Sequence, residues 1–131
     1  MIKVNFFKEK GKFSVSAKLV KDTVTKAITD NGITSDFEVN VSIVGSPTML
    51  EIGRNFYHDD KPDIEHPIFT FPEHERKGEF ATPPDQLPSL GDIYISYPWV
   101  LNSAKENNDT PTNVLVHLLE HGCLHLLGIH H

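Results

Sequence analysis

The segment HLLEHGCLHLLGIHH, residues 117–131, carries five of the chain's eight histidines. Leu118, Leu119, Leu124, Leu126 and Leu127 run through the same stretch, so it reads as a packed helix and not as a polar tail. His121 and His125 stand four residues apart. Four helical residues turn the chain by about 400°, which sets both imidazoles on one face, about one turn apart. Two imidazoles so placed can share one zinc ion at roughly 2.0–2.1 Å. Gly128 then ends the helix, and the residues after it can turn back toward the same point. His131 would complete a set of three histidines and leave one position for water, the pattern of catalytic rather than structural zinc.

The other candidates are weighed against plainer roles. His117 lies one turn before His121 and reads as a ligand, a hydrogen-bonding neighbour of the ligands, or a packed core histidine, with the last two preferred. His130 reads as a neighbour of the last ligand. His58, His66 and His74 fall in loop sequence, where solvation is the ordinary state. Cys123, the single cysteine, points to another face of the helix than His121 and reads as a buried thiol. Leu115, Leu118, Leu119, Leu126 and Leu127 read as core. The zinc-protease motif H-E-x-x-H needs a glutamate directly after its first histidine. Here Gly122 occupies that position, and Glu120 lies on the wrong side of His121, so the protease reading lacks its general base.

These residues must be positioned by the rest of a chain of 131 residues, enough for one domain with one core. MIKVNFF alternates Ile2, Val4 and Phe6 with polar neighbours and predicts a half-buried strand. From Ser14, Ala17, Val20, Val24, Ala27 and Ile28 follow helical spacing until Asp30-Asn31-Gly32 ends the run. FEVNVSIVG alternates again, a second strand. Ser46 is expected to cap a short helix with Pro47 in its first turn. IFTFP and DIYIS predict two further strands, separated by a long, proline-marked loop, EHERKGEFATPPDQLPSLG, of the kind that often carries function. YPWVLNSAKENN predicts a helix, and a final helix is capped by Asp109 or Thr110 with Pro111 in its first turn. The order β-α-β-α-β-β-α-α implies one α/β (α+β) domain over residues 1–131, with a four-stranded mixed sheet and the metal site at the C-terminal helix.

Charge and composition narrow the function classes. Eighteen acidic groups against twelve Lys and Arg give a net charge of -6, which argues against unaided tight binding to nucleic acid. Residues 1–26 run the other way, with seven lysines against Glu9 and Asp22, and form a candidate one-sided patch for phosphates. One cysteine excludes an internal disulfide and a cysteine-rich zinc cluster. No membrane span and no secretory layout is evident, so the expected compartment is the cytoplasm.

HGCLHLLGIHH resembles the H-G-x-L-H-L-x-G-Y-D-H signature of the YbeY family of bacterial metal-dependent endoribonucleases. SPTMLEIGRNFY, FTFP and GDIYIS follow the family's further segments in order, so the resemblance covers most of residues 37–131. It implies that His121, His125 and His131 hold one divalent ion, zinc, in a nuclease acting on single-stranded RNA during ribosomal RNA maturation and ribosome biogenesis. RNA and ribosomal subunit proteins are the implied partners, with the chain a monomer. The chain departs from the family at several places, a loop about two residues longer after Tyr57-His58 among them. Ile129-His130 replace Tyr-Asp, and Tyr57-His58 stand where the family has Tyr-Arg, so His58 or Lys61 is the candidate for the missing cation, with Arg54 a further one. Phe80, in the long loop, is a candidate stacking face. The rival reading is a ribosome-biogenesis binding factor, weakly catalytic or non-catalytic, whose metal is structural.

Overall fold

Val39, Val41 and Ile43 alternate with polar neighbours along one strand, and Ile93 and Ile95 along another; all five are fully buried, with Ile2 and Val4 nearly so. A computed structural model describes residues 1–57, 65–75 and 87–129. Its elements are β1 (Ile2–Lys8), α1 (Ala17–Asp30), β2 (Phe37–Val44), α2 (Ser46–Ile52), a π-helical turn (Gly53–Tyr57), β3 (Ile68–Pro72), a short 3₁₀ turn (Glu73–Glu75), β4 (Ser89–Ser96), α3 (Tyr97–Glu106) and α4 (Pro111–Leu126). Order and type agree with the expected pattern.

The strands form one mixed sheet in the order β1-β2-β4-β3. β1, β2 and β4 run parallel, and β3 pairs antiparallel with β4 at the edge. Because side chains alternate across a strand, the sheet has two different faces. The face bearing Val4, Val39, Val41, Ile93 and Ile95 packs against α1 and α4 in the main core. α1 presents Val20, Val24 and Ile28, one turn apart along one stripe, and Ser16 caps it by accepting from the Leu19 amide at 3.2 Å. The opposite face carries a smaller cluster in which α2 lays Met49 and Ile52 over Val44 and Phe69. Among the described residues no helix is long and apolar enough to cross a membrane.

Two expectations need correction. Ser46 is not the cap of α2: Gly45 holds that position and Ser46 is the first helical residue. The capping function comes from Glu9 at the end of β1, whose carboxylate accepts from the Gly45 amide at 3.1 Å and the Thr48 hydroxyl at 2.6 Å. A carboxylate at a helix start serves as well as a local hydroxyl, but the residue supplying it lies 36 positions away. Secondly, the fourth strand begins at Ser89, so Ser89-Leu90-Gly91 belong to β4 and not to the long loop. Pairing with β2 and β3 extends the strand backwards past the point where its alternating pattern starts.

Candidate functional site

α4 is built by strong local signals. Thr110 accepts from the Asn113 amide at 3.1 Å and is the cap; Asp109 supports it from outside, accepting from the Asn113 side chain at 2.9 Å and the Thr110 amide at 2.7 Å. These two bonds, the side-chain one first, hold the Asp109 carboxyl below its usual range. Leu115, Leu118, Leu119, Gly122, Cys123 and Leu126 form the buried face.

The histidines lie along the rim of that face. His117 and His121 are exposed and His125 is half-buried. This overturns the core reading of His117. Residues four apart advance by about 400°, so each step drifts roughly 40° around the helix, and only the last of the three reaches the protein's edge. The His121 and His125 rings face each other with centroids 4.3 Å apart, tilted by 50°. Imidazole nitrogens brought this close are the donor type that zinc and similar divalent ions take. Among the described residues no third His, Cys, Asp or Glu joins them in a group able to hold a metal. His131, the expected third ligand, and His130 lie outside the described residues, as do His58, Lys61 and Phe80.

The end of α4 is shaped to redirect the chain at this point. The Ile129 amide donates to the Leu124 carbonyl at 2.9 Å and the Gly128 amide to the His125 carbonyl at 3.0 Å. This 6→1 and 5→2 pair is the Schellman arrangement, and it places Gly128 at φ +77, where a side chain is strained. The stop read from sequence is therefore a tight reversal one turn beyond His125. The structure also brings an exposed loop histidine close to this reversal. His74, in the 3₁₀ turn after β3, lies with its Nε2 3.8 Å from where a Cβ on Gly128 would stand. Nothing in the spacing of His74 signals this, because the pairing of β3 with β4 delivers it. His74 stays exposed as expected, whereas His66 does not: its ring is half-buried and tilted against Phe69 at 5.2 Å.

Packing explains the absence of the protease glutamate. A Cβ on Gly122 would stand 2.9 Å from Ile68 Cδ1 and 3.2 Å from Ile93 Cδ1, so any side chain there must displace the tips of two isoleucines. Gly122→Glu, which restores the H-E-x-x-H pattern, should bury a carboxylate against two isoleucines. The expected cost is about 3 kcal/mol or more, read as a lowered urea midpoint, with no peptidase activity gained.

Cys123 is buried, and burial first, then the charge of Glu120, pushes its thiol up from the usual 9.0 to about 12. An unfolded thiol ionises near 9, so this group's contribution to stability is complete below pH 9 and declines as pH rises toward 12. We expect Cys123 to resist alkylation in the native protein at pH 8 and to react promptly once urea unfolds it. Equal labelling rates in both states would contradict the buried placement.

The sheet face opposite the histidines carries a polar row absent from the sequence reading. The Asn5 amide donates to Glu38 and, at 3.0 Å, to Asn40, whose own amide donates to Asp92 at 2.8 Å. These bonds tie three strands together side by side.

Comparison with known proteins adds a family. The family model described as endoribonuclease YbeY matches residues 4–131. A protein named endoribonuclease YbeY from Chloroflexus aggregans (strain MD-66 / DSM 9485) is 32% identical over 118 residues, covering 90% of this chain and 75% of its own length. Another of that name, from Persephonella marina (strain DSM 14350 / EX-H1), is 32% identical over 124 residues, covering 95% and 75% respectively. The solution structure of TM1509 from Thermotoga maritima superposes with a TM-score of 0.59 at 26% identity, covering 100% of this chain and 75% of that one.

Proposed function

The chain belongs to the YbeY endoribonuclease family, and we propose that it is a divalent-metal-dependent endoribonuclease cutting single-stranded RNA in ribosomal RNA maturation. The observation that carries the metal reading is the His121–His125 ring pair at 4.3 Å, one turn before a Schellman reversal. His121, His125 and His131 would hold one ion, zinc in the first instance. When bound, such an ion would supply Lewis acidity and lower the pKa of a water molecule toward neutrality.

The chain's own residues then do the rest. The helix holds the two imidazoles one turn apart on one face, so both can approach a single ion. His58 or Lys61, in the segment following the π-helical turn, would offset the negative charge that builds at phosphorus during attack. If His58 takes the place of an arginine of the family, as the resemblance implies, a second reading follows: a ribosome-biogenesis factor that binds RNA and ribosomal proteins but cleaves weakly or not at all. On the first reading the functional unit is one domain spanning residues 1–131, acting as a monomer in the cytoplasm.

The test uses an RNA hairpin with a long single-stranded extension and protein loaded with zinc or manganese. Cleavage is expected in the extension, with the duplex spared, and a chelator should stop it. Deleting His131 should lower metal affinity while helix content stays the same, since Gly128 already ends α4. Cleavage that ignores the chelator overturns the metal mechanism. Tight RNA binding without cleavage selects the second reading.

A further inference from the structure

Phe56 is 66% exposed, although it sits beside a hydrophobic cluster. It belongs to the π-helical turn Gly53–Tyr57, and its ring meets Phe71 edge-to-face, with centroids 5.6 Å apart and planes at 78°. Phe71 in turn meets Tyr94 edge-to-face at 5.8 Å and 87°. Phe71 and Tyr94 are half-buried and pack on Val44, Met49, Ile52 and Phe69. The three rings therefore form a row that runs from the core out to solvent. Edge-to-face contact with Phe71 together with its high exposure leaves Phe56 part of a π-face open to solvent. A ring held by rigid neighbours and open on one face is built differently from a core aromatic, which is enclosed.

The row lies on the sheet face opposite α4, at the strand end that the last turn of α4 also approaches. Phe71 lies next to the last residue of β3, and its carbonyl oxygen stands 2.4 Å from where a Cβ on Gly91 would be. Leu126, the residue after His125, touches the same point from α4, at 2.8 Å. Gly91 is thus the point at which the backbone end of β3, the start of β4 and the last turn of α4 meet. Arg54 is exposed on the same π-helical turn as Phe56 and adds a cation to this part of the surface.

We propose that Phe56 is a positioning residue that stacks on an unpaired base of the RNA substrate, with the Phe71–Tyr94 pair as its rigid support. Unpaired bases carry exposed π-faces, and aromatic side chains accept them with little dependence on sequence. The proposal rests on the RNA reading above, but it concerns binding and not the chemical step. It requires neither His58 nor Lys61.

The test compares Phe56→Leu, which keeps apolar bulk and removes the π-face, with Phe56→Trp, which keeps the π-face. Affinity for oligoadenylate and oligouridylate is measured on the metal-loaded protein, together with kcat and KM on the hairpin substrate. Phe56→Leu should weaken oligonucleotide binding and raise KM by roughly 10-fold, within the range that one stacked base supplies, with kcat and metal content unchanged. It should also erase the parent's preference for adenine, the stronger stacker. Phe56→Trp should retain both affinity and preference, and its added indole emission should be quenched on binding. Loss of affinity in both variants, or in neither, overturns the proposal, as does a parent that binds no oligonucleotide or binds a protein through this ring instead. Binding that depends on Phe56 without any cleavage supports the proposal and sinks the nuclease reading. Cleavage with an unaltered KM in Phe56→Leu does the reverse.

Discussion

Alanine at His121 or His125 should strip the protein of its metal. Each substitution removes one imidazole from a proposed set of three, and two imidazoles alone make a poor site for a catalytic ion. Loss of an outer hydrogen-bonding partner already costs metal sites about 10- to 100-fold in affinity, so loss of a ligand should exceed about 100-fold. RNA cleavage should fall to background in step with metal content. The helix should persist: His121 is exposed, and the buried face of α4 is formed by Leu115, Leu118, Leu119, Cys123 and Leu126. Elemental analysis after desalting, paired with circular dichroism, checks both halves. Unchanged metal content in the His121→Ala, His125→Ala double variant would show that these rings are not ligands.

Gly91→Ala should be the most damaging conservative change in the fold. Gly91 adopts φ +136, and an added Cβ would stand 2.4 Å from the Phe71 carbonyl, 2.8 Å from Leu126 and 3.0 Å from the Pro72 Cα. Two of those neighbours are backbone, which cannot swing aside as a side-chain tip can. Overpacking typically costs about 1–3 kcal/mol and an unfavourable backbone region about 1–3 kcal/mol more, so a loss of roughly 3–5 kcal/mol is expected. Gly32→Ala provides the contrast. Gly32 also has a positive φ, at +92, but nothing lies within 4 Å of its Cβ position, so only the backbone cost of about 1 kcal/mol applies. Urea denaturation of the two variants separates strain from collision. Because Leu126 follows His125, any Gly91→Ala protein that still folds should also bind metal less tightly.

The parts of this protein legible in its sequence are those written in local period. Val20, Val24 and Ile28 disclose α1, and the alternation from Phe37 to Ile43 discloses β2, because one face of each element must be buried. Thr110-Pro111 and Gly128 mark both ends of α4, and the four-residue step from His121 to His125 predicts facing rings. What escaped sequence reading depends on contacts between distant elements. Glu9 caps α2 from the end of β1, His74 reaches Gly128 from beyond β3, and Phe56 meets Phe71 only because the π-helical turn folds back over the edge strand. The exposure of His117 was misjudged for a different reason. Spacing says which residues share a stripe, while burial depends on which side of that stripe the sheet lies.

Zinc-edge X-ray absorption on the metal-loaded protein tests the central claim most directly, since it reads the ion's own neighbours. The predicted spectrum has three imidazole nitrogens at roughly 2.0–2.1 Å and a lighter oxygen contribution from solvent, with one nitrogen lost in each of the His121→Ala, His125→Ala and His131-deleted proteins. A coordination sphere without imidazole scattering, or one that is the same in all four proteins, would contradict the account.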